Sequence, residues 1–181
     1  TGDPNSVSLV TRVKKLGLSF WGMIIAHCGL AIFSFGVIFV MSYQVEKDIS
    51  LKPNESEDIS GYSLTFLGVR PVSGVNYSGI EGVFELTKKD GDVVFLLTPE
   101  KRKYFRSDDP MTEAAIRYGF FGDFYVSLGD PTNQTALTEN SSWSIRVSYK
   151  PLMVWVWLGC LLMAIGGFFC FFLGRVFLSR N

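Results

Sequence analysis

Two long stretches of this chain carry no Asp, Glu, Lys or Arg: Leu16 to Val45 and Pro151 to Gly174. A bilayer core is roughly 30 Å thick, so a helix needs about 20 apolar residues to cross it. Gly17–Met41 supplies 25 and Pro151–Gly174 supplies 24. Lipid offers the backbone no hydrogen-bond partners, so segments of this kind must be helical. A buried core helix of a soluble protein does not account for two such runs flanking a polar middle. A signal peptide has an apolar core of about 7–15 residues followed by a small-residue cleavage site. The first run is longer and ends Val40-Met41-Ser42-Tyr43, so it does not fit that pattern.

The charges are correspondingly segregated. Of 17 basic and 17 acidic residues in the 181-residue chain, five bases and one acid (Asp3) lie at the two ends. Arg12, Lys14 and Lys15 precede the first apolar run, and Arg175 and Arg180 follow the second. Basic residues next to membrane helices mark the cytoplasmic side. The expected organisation is a cytoplasmic segment 1–15, a transmembrane helix 16–42, an extracytoplasmic (periplasmic) domain 43–149, a second transmembrane helix 150–174 and a cytoplasmic tail 175–181. Trp21, Tyr43, Trp155 and Trp157 are expected interfacial anchors. The chain opens at Thr1 rather than Met, as expected of a processed, trimmed or split product. Overall charge balance points away from a nucleic-acid partner, and the lipid bilayer is the first expected partner.

The middle segment is the size of one small domain and reads as β-rich. Val83–Thr87 and Val93–Leu97 predict a hairpin with Asp90-Gly91 in its turn, where positive φ is cheap. Tyr62–Val69, Lys103–Arg106, Phe124–Leu128 and Trp143–Tyr149 are further expected strands. One short helix is expected over Met111–Tyr118, capped by Asp109, with Pro110 in its first turn and Gly119 at its end. Asn54–Ser60 and Gly129–Ser142 read as polar loops. The predicted fold class is a membrane protein of α+β type. Two transmembrane helices flank an extracytoplasmic antiparallel β-rich barrel or sandwich with one short helix.

This middle segment contains no His and no Cys, which excludes Ser-His and Cys-His nucleophiles and thiolate or imidazole zinc sites within it. The carboxylate pairs Asp108-Asp109 and Asp90/Asp92 read as solvated turn-formers. The sequons at Asn54, Asn76, Asn133 and Asn140 matter only in a glycosylating lumen. Lys101, Arg102, Lys103 and Arg106 form one basic cluster, either a solvated strand end or a contact for an anion or an acidic partner. Cys28, Cys160 and Cys170 all lie in the apolar runs and read as small apolar residues.

His27 is the single histidine and lies about ten residues into the first run, near the bilayer midplane. An ionisable group at that depth is a functional candidate by default. At about 100° per residue, Phe20, Met23, Ala31 and Ser34 share its face, while Gly22, Gly29 and Gly36 fall near 220°, 200° and 180° from it. Glycine stripes admit close approach of another helix. The first helix therefore has a packing face and an opposed face presenting His27. Three roles stay open on this reading: a hydrogen bond to a neighbouring helix, a metal or haem ligand, or a proton relay. As the only histidine, it needs any second ligand from outside the chain.

The residues also carry a resemblance. Ala26-His27-Cys28-Gly29-Leu30-Ala31 lies in a span. It is followed by Pro99-Glu100-Lys101-Arg102-Lys103-Tyr104, Met111-Thr112-Glu113-Ala114-Ala115-Ile116 and Asp123-Phe124-Tyr125-Val126-Ser127-Leu128-Gly129. Trp143-Ser144-Ile145-Arg146 and Lys150-Pro151-Leu152-Met153-Val154-Trp155 close the series. In this order they resemble the C-terminal part of the CcmF family, the large haem lyase subunits of cytochrome c maturation. The likeness runs from about Trp21 to Arg175.

The resemblance implies that the chain belongs to a bacterial inner-membrane machine that joins haem to the C-x-x-C-H motifs of apocytochrome c. Its implied partners are a haem-loaded CcmE-type chaperone, a CcmH-type protein, apocytochrome c and the remainder of CcmF or its split subunit. It further implies a transmembrane haem b with two histidine ligands from different helices, His27 standing in the position of one axial ligand to the iron. For the basic cluster the expected contact is a haem propionate, a lipid phosphate or an acidic partner. The family's tryptophan-rich haem-presenting segment, its two outer histidines and the helix with the second haem b ligand have no counterpart among these residues. The family's Pro-Asn-Tyr is Val75-Asn76-Tyr77 here. The chain alone is therefore not expected to be active. The alternative reading is a two-span structural or partner-binding subunit, of an assembly or a transporter, in which His27 packs or relays protons.

Overall fold

The computed structural model describes residues 17–89, 93–107, 109–132 and 141–178. The chain divides into two compact units, residues 1–38 with 154–181, and residues 39–153. Arg12, Lys14, Lys15, Asp90, Gly91, Asp92, Asp108, Asn133, Asn140 and Arg180 lie outside the described residues.

The first unit is built from the apolar runs, which form helices α1 (Leu18–Tyr43) and α2 (Met153–Leu178). Both are long and apolar enough to cross a membrane. Neither has an acidic residue in its first turn. Their helicity follows from the need to satisfy every backbone group internally rather than from capping. The glycine stripe is the seam between them. A Cβ on Gly22 would come within 2.8 Å of Gly166 O, and one on Gly29 within 2.8 Å of Gly159 O. At Gly36 it would meet Val156 at 3.0 Å. Cys170 Sγ adds a 3.3 Å hydrogen bond to Ser19 O across the same pair.

The second unit is an antiparallel β-sandwich. Its strands are β1 (Val45–Leu51), β2 (Ser56–Ile59), β3 (Tyr62–Ser73), β4 (Tyr77–Lys88), β5 (Val93–Leu97), β6 (Glu100–Tyr104), β7 (Met111–Glu113), β8 (Ala115–Arg117), β9 (Gly122–Pro131) and β10 (Trp143–Pro151). One sheet has the order β1-β10-β9-β8, and the other β2-β3-β4-β6-β7 with β5 also on β4. The twelve residues of β4 serve two partners along one edge: Phe84–Thr87 pair with β5 and Tyr77–Glu81 with β6. Pro99, which lacks an N–H, separates those partners, and its carbonyl accepts from Gly82 N at 2.8 Å.

Period-two alternation places the core. In β10, Trp143, Ile145 and Val147 point inward while Ser144 and Arg146 point out. Phe66 and Phe84 are fully buried and stack at 4.9 Å, and Leu64, Leu86, Val126 and Leu128 close around them. β3 bends at a bulge between Phe66 and Gly68, where Gly68 takes φ +131°, open to glycine alone at little cost.

The helix expected over Met111–Tyr118 is not formed. Met111–Glu113 pairs with β6 in one sheet and Ala115–Arg117 with β9 in the other, so this segment crosses between the two layers. Asp109-Pro110 reads equally as a turn, and two ladders of cross-strand hydrogen bonds outweigh the weak local helical preference. The strand expected at Lys103–Arg106 runs instead over Glu100–Tyr104, with a turn at 105–106. The loop expected at Asn54–Ser60 contains β2.

Candidate functional site

With Gly22, Gly29 and Gly36 buried against α2, the opposite side of α1 is left uncovered, and His27 is exposed there. Phe20, Met23, Leu30 and Ile38 are exposed apolar residues on the same helix. His27 Nδ1 lies 2.8 Å from Met23 O, one turn earlier. A carbonyl oxygen can only accept, so Nδ1 carries the proton, and in the neutral ring the lone pair falls on Nε2. Such a bond to a backbone carbonyl orients the ring and raises the basicity of the other nitrogen, as in many metal-ligating histidines. Nε2 is thereby the ring nitrogen whose lone pair could bind a metal ion. Among the described residues no group of three or more His, Cys, Asp or Glu is gathered as a metal cage.

The basic cluster is not presented on a single face. Alternation along β6 puts Lys101 and Lys103 on one face and Arg102 on the other. Lys101 Nζ is ion-paired with Asp130 of β9. Arg102 Nε binds Glu100 at 2.7 Å, its Nη1 lies 3.6 Å from Glu113, and its guanidinium stands 4.6 Å from the Tyr77 ring centre. The hydrogen bond that Arg102 donates to Glu100, then the one it donates to Tyr104, holds its pKa above the usual value. Lys103 and Arg106 are exposed.

A polar groove of about 420 Å³ on the outer face of the four-stranded sheet was not legible from sequence. Asp48, Thr112, Tyr125, Ser127, Ser144 and Arg146 are among its lining residues. Asp48 and Arg146 are 98 residues apart and meet in a two-pronged pair at 2.7 and 3.1 Å. The alternation of Ile145, Arg146 and Val147 would have assigned Arg146 to an outer face, but nothing local names its partner.

The family model described as the CcmF C-terminal beta-sandwich matches residues 42–151, from the end of α1 through all ten strands. The chain belongs to the CcmF family. It is 40% identical over 163 residues to "Cytochrome c-type biogenesis protein CcmF" of Escherichia coli K12, covering 90% of this chain and 24% of that protein. Identity to the CcmF of Haemophilus influenzae is 41% over 165 residues, covering 91% and 24%. "Cytochrome c-type biogenesis protein NrfE" of H. influenzae is 32% identical over 166 residues, covering 92% and 25%. The solved structure "Cytochrome c Heme Lyase CcmF" superposes with a TM-score of 0.66 at 19% identity, covering 83% of this chain and 24% of that one, which establishes the shared fold. The chain thus spans about a quarter of the length of the CcmF relatives it matches. A match over 90% of the chain takes in His27 as well as the sandwich.

Proposed function

We propose that the chain is the C-terminal portion of a membrane haem lyase and contributes His27 as one axial ligand of a transmembrane haem b. The observation that carries this reading is the ring itself. It is held by Met23 O and exposed on the helix face opposite the glycine seam, with Nε2 left for iron. The second ligand comes from outside the chain, from the remainder of CcmF or its split subunit. When bound, the haem would supply one-electron chemistry for reducing the haem that is to be attached. The chain's own residues have simpler tasks. Met23 O fixes the imidazole rotamer, Phe20 and Leu30 keep water from that face, and the glycine seam holds α1 against α2.

In this proposal α1 and α2 cross the bacterial inner membrane and residues 43–149 stand in the periplasm. There the sandwich works beside CcmH-type and haem-loaded CcmE-type proteins on apocytochrome c, whose C-x-x-C-H thiols receive the haem. Of the basic cluster, Lys103 and Arg106 remain for an anionic contact such as a haem propionate or an acidic partner surface.

With the full complex present, His27→Ala is expected to abolish the low-spin bis-histidine Soret signal at unchanged protein level. An unchanged spectrum would overturn the ligand assignment and favour a packing role, and a pH-dependent transport loss would favour a proton relay. Lys103→Glu with Arg106→Glu is expected to lower cytochrome c output while the sandwich keeps its thermal transition. Full output in that double variant would leave both residues as ordinary surface.

A further inference from the structure

The two connections between sandwich and helices leave from one end of one strand pair. Val45, two residues after α1, pairs with Tyr149, four residues before α2. β9 starts at that same end, with Gly122 opposite Pro151. The loop entering β9 carries Tyr118, Phe120 and Phe121, which are 66%, 57% and 72% exposed. Phe120 and Phe121 pack edge to face at 5.1 Å, yet the cluster as a whole stays largely exposed, a costly arrangement in water unless something covers it.

The loop is built to hold them out. Gly119 N donates to Asp123 Oδ1 at 2.9 Å. Phe121 O accepts from Leu152 N at 3.0 Å and from Tyr149 Oη at 3.3 Å. A Cβ on Gly122 would overlap the outer end of the Tyr149 ring, which would then have to move and give up its bond to Phe121 O. Leu152 sits at φ +54°, a left-handed conformation that a leucine adopts only where its surroundings impose it. The loop backbone is thus anchored on the residue immediately before α2, and its key carbonyl is satisfied within the protein. A carbonyl satisfied in this way can lie against the hydrocarbon edge, where no water would replace the bond.

We propose that the loop Tyr118–Phe121 is a membrane-interface anchor, its aromatic rings seated at the headgroup–acyl boundary of the lipid surface. The occupant follows from continuity. Met153, the next residue after Leu152, opens a helix of bilayer-crossing length, so the lipid surface begins within a few residues of the loop's attachment. Tyr43, exposed where α1 ends and with its ring tilted against that of Phe39 at 4.9 Å, adds a further aromatic residue two positions before β1. Aromatic residues favour this boundary because their rings are apolar yet polarisable, and a tyrosine hydroxyl can stay wet. The anchor would fix the tilt of the sandwich against the bilayer, independently of any haem. It rests on the reading that α2 crosses the membrane.

The test uses the whole chain, with Cys28, Cys160 and Cys170 changed to Ser, in phosphatidylcholine–phosphatidylglycerol vesicles. A nitroxide is placed at Phe121→Cys, with Tyr118→Cys as an independent second position. Val75→Cys is the aqueous control. It follows the far end of β3, roughly 35 Å along the strand from Tyr62, whose ring packs on Phe124 beside the loop. Leu30→Cys is the lipid control. Collision with oxygen, which concentrates in lipid, is compared with collision with a water-soluble nickel chelate. The expected oxygen-to-nickel ratio at positions 118 and 121 is several-fold above that at 75 and approaches that at 30. A lipid-like reading at 30 with water-like readings at 118 and 121 overturns the anchor alone. A water-like reading at 30 overturns the spanning helix and the anchor together. Labels at 118 and 121 immobilised and shielded from both reagents would place a protein partner there instead of lipid, and would also overturn it.

Discussion

Glu81 shows how a single side chain can tie stability to pH in the sandwich. It is almost fully buried in β4, directly opposite Arg70 of β3, whose Nε donates to it at 2.5 Å. That hydrogen bond pulls the Glu81 pKa below the usual glutamate value. Burial opposes it, while Thr98 and the positive charge of Arg70 add to the lowering. A carboxyl whose folded pKa is depressed contributes stability above its unfolded pKa and loses it as the pH falls through the folded one. Acid unfolding is therefore expected below about pH 4.5, the ordinary glutamate value. Glu81→Gln should flatten that limb when thermal midpoints are followed against pH. Asp48 beside Arg146 and Asp58 beside Lys89 are lowered in the same direction and steepen the same limb. At the centre of the core, Phe84→Ala removes a fully buried ring stacked on Phe66 and should cost about 3–5 kcal/mol in denaturant unfolding.

At the scale of elements, the helix pair depends on absent side chains. Gly29 meets α2 backbone at Met163 and Gly159, and Gly159 in turn meets Phe33. Gly29→Leu should prise the helices apart, seen as lost cross-linking between the native Cys170 and a cysteine placed at Ser19, which meet across the pair, whereas Leu30→Ala on the uncovered face should leave it intact. The seam was readable in advance because the helical period is rigid, and three glycines seven apart must fall on one side. The β8 region was not. Asp109, Pro110 and Gly119 are helix punctuation by type, yet the residues between them pair with β6 and β9. The misplaced strand at Lys103–Arg106 has the same origin. The partner of β6 is Tyr77–Glu81 of β4, and that pairing ends the strand at Tyr104.

For the whole molecule, the division into two units predicts independence. Every residue of the sandwich core lies between Leu51 and Val147, and the family model covers 42–151. That fragment is expected to fold alone with a cooperative transition and a β-type circular dichroism spectrum, and a melt without a transition would refute it. The sequence alone determined the two bilayer-length helices, the β-rich middle, the glycine face opposed to His27 and the family. Each depends on composition or a fixed period, which local order carries without knowledge of partners. Only the tertiary structure decided which strands pair, that Lys101 is paired with Asp130 of β9 and that Arg102 reaches Glu113 of β7 besides its neighbour Glu100, and that Tyr118, Phe120 and Phe121 stand at the end where both helices join the sandwich. Those are long-range outcomes, set by the burial of one shared core and by hydrogen-bond registers that no short stretch of chain encodes.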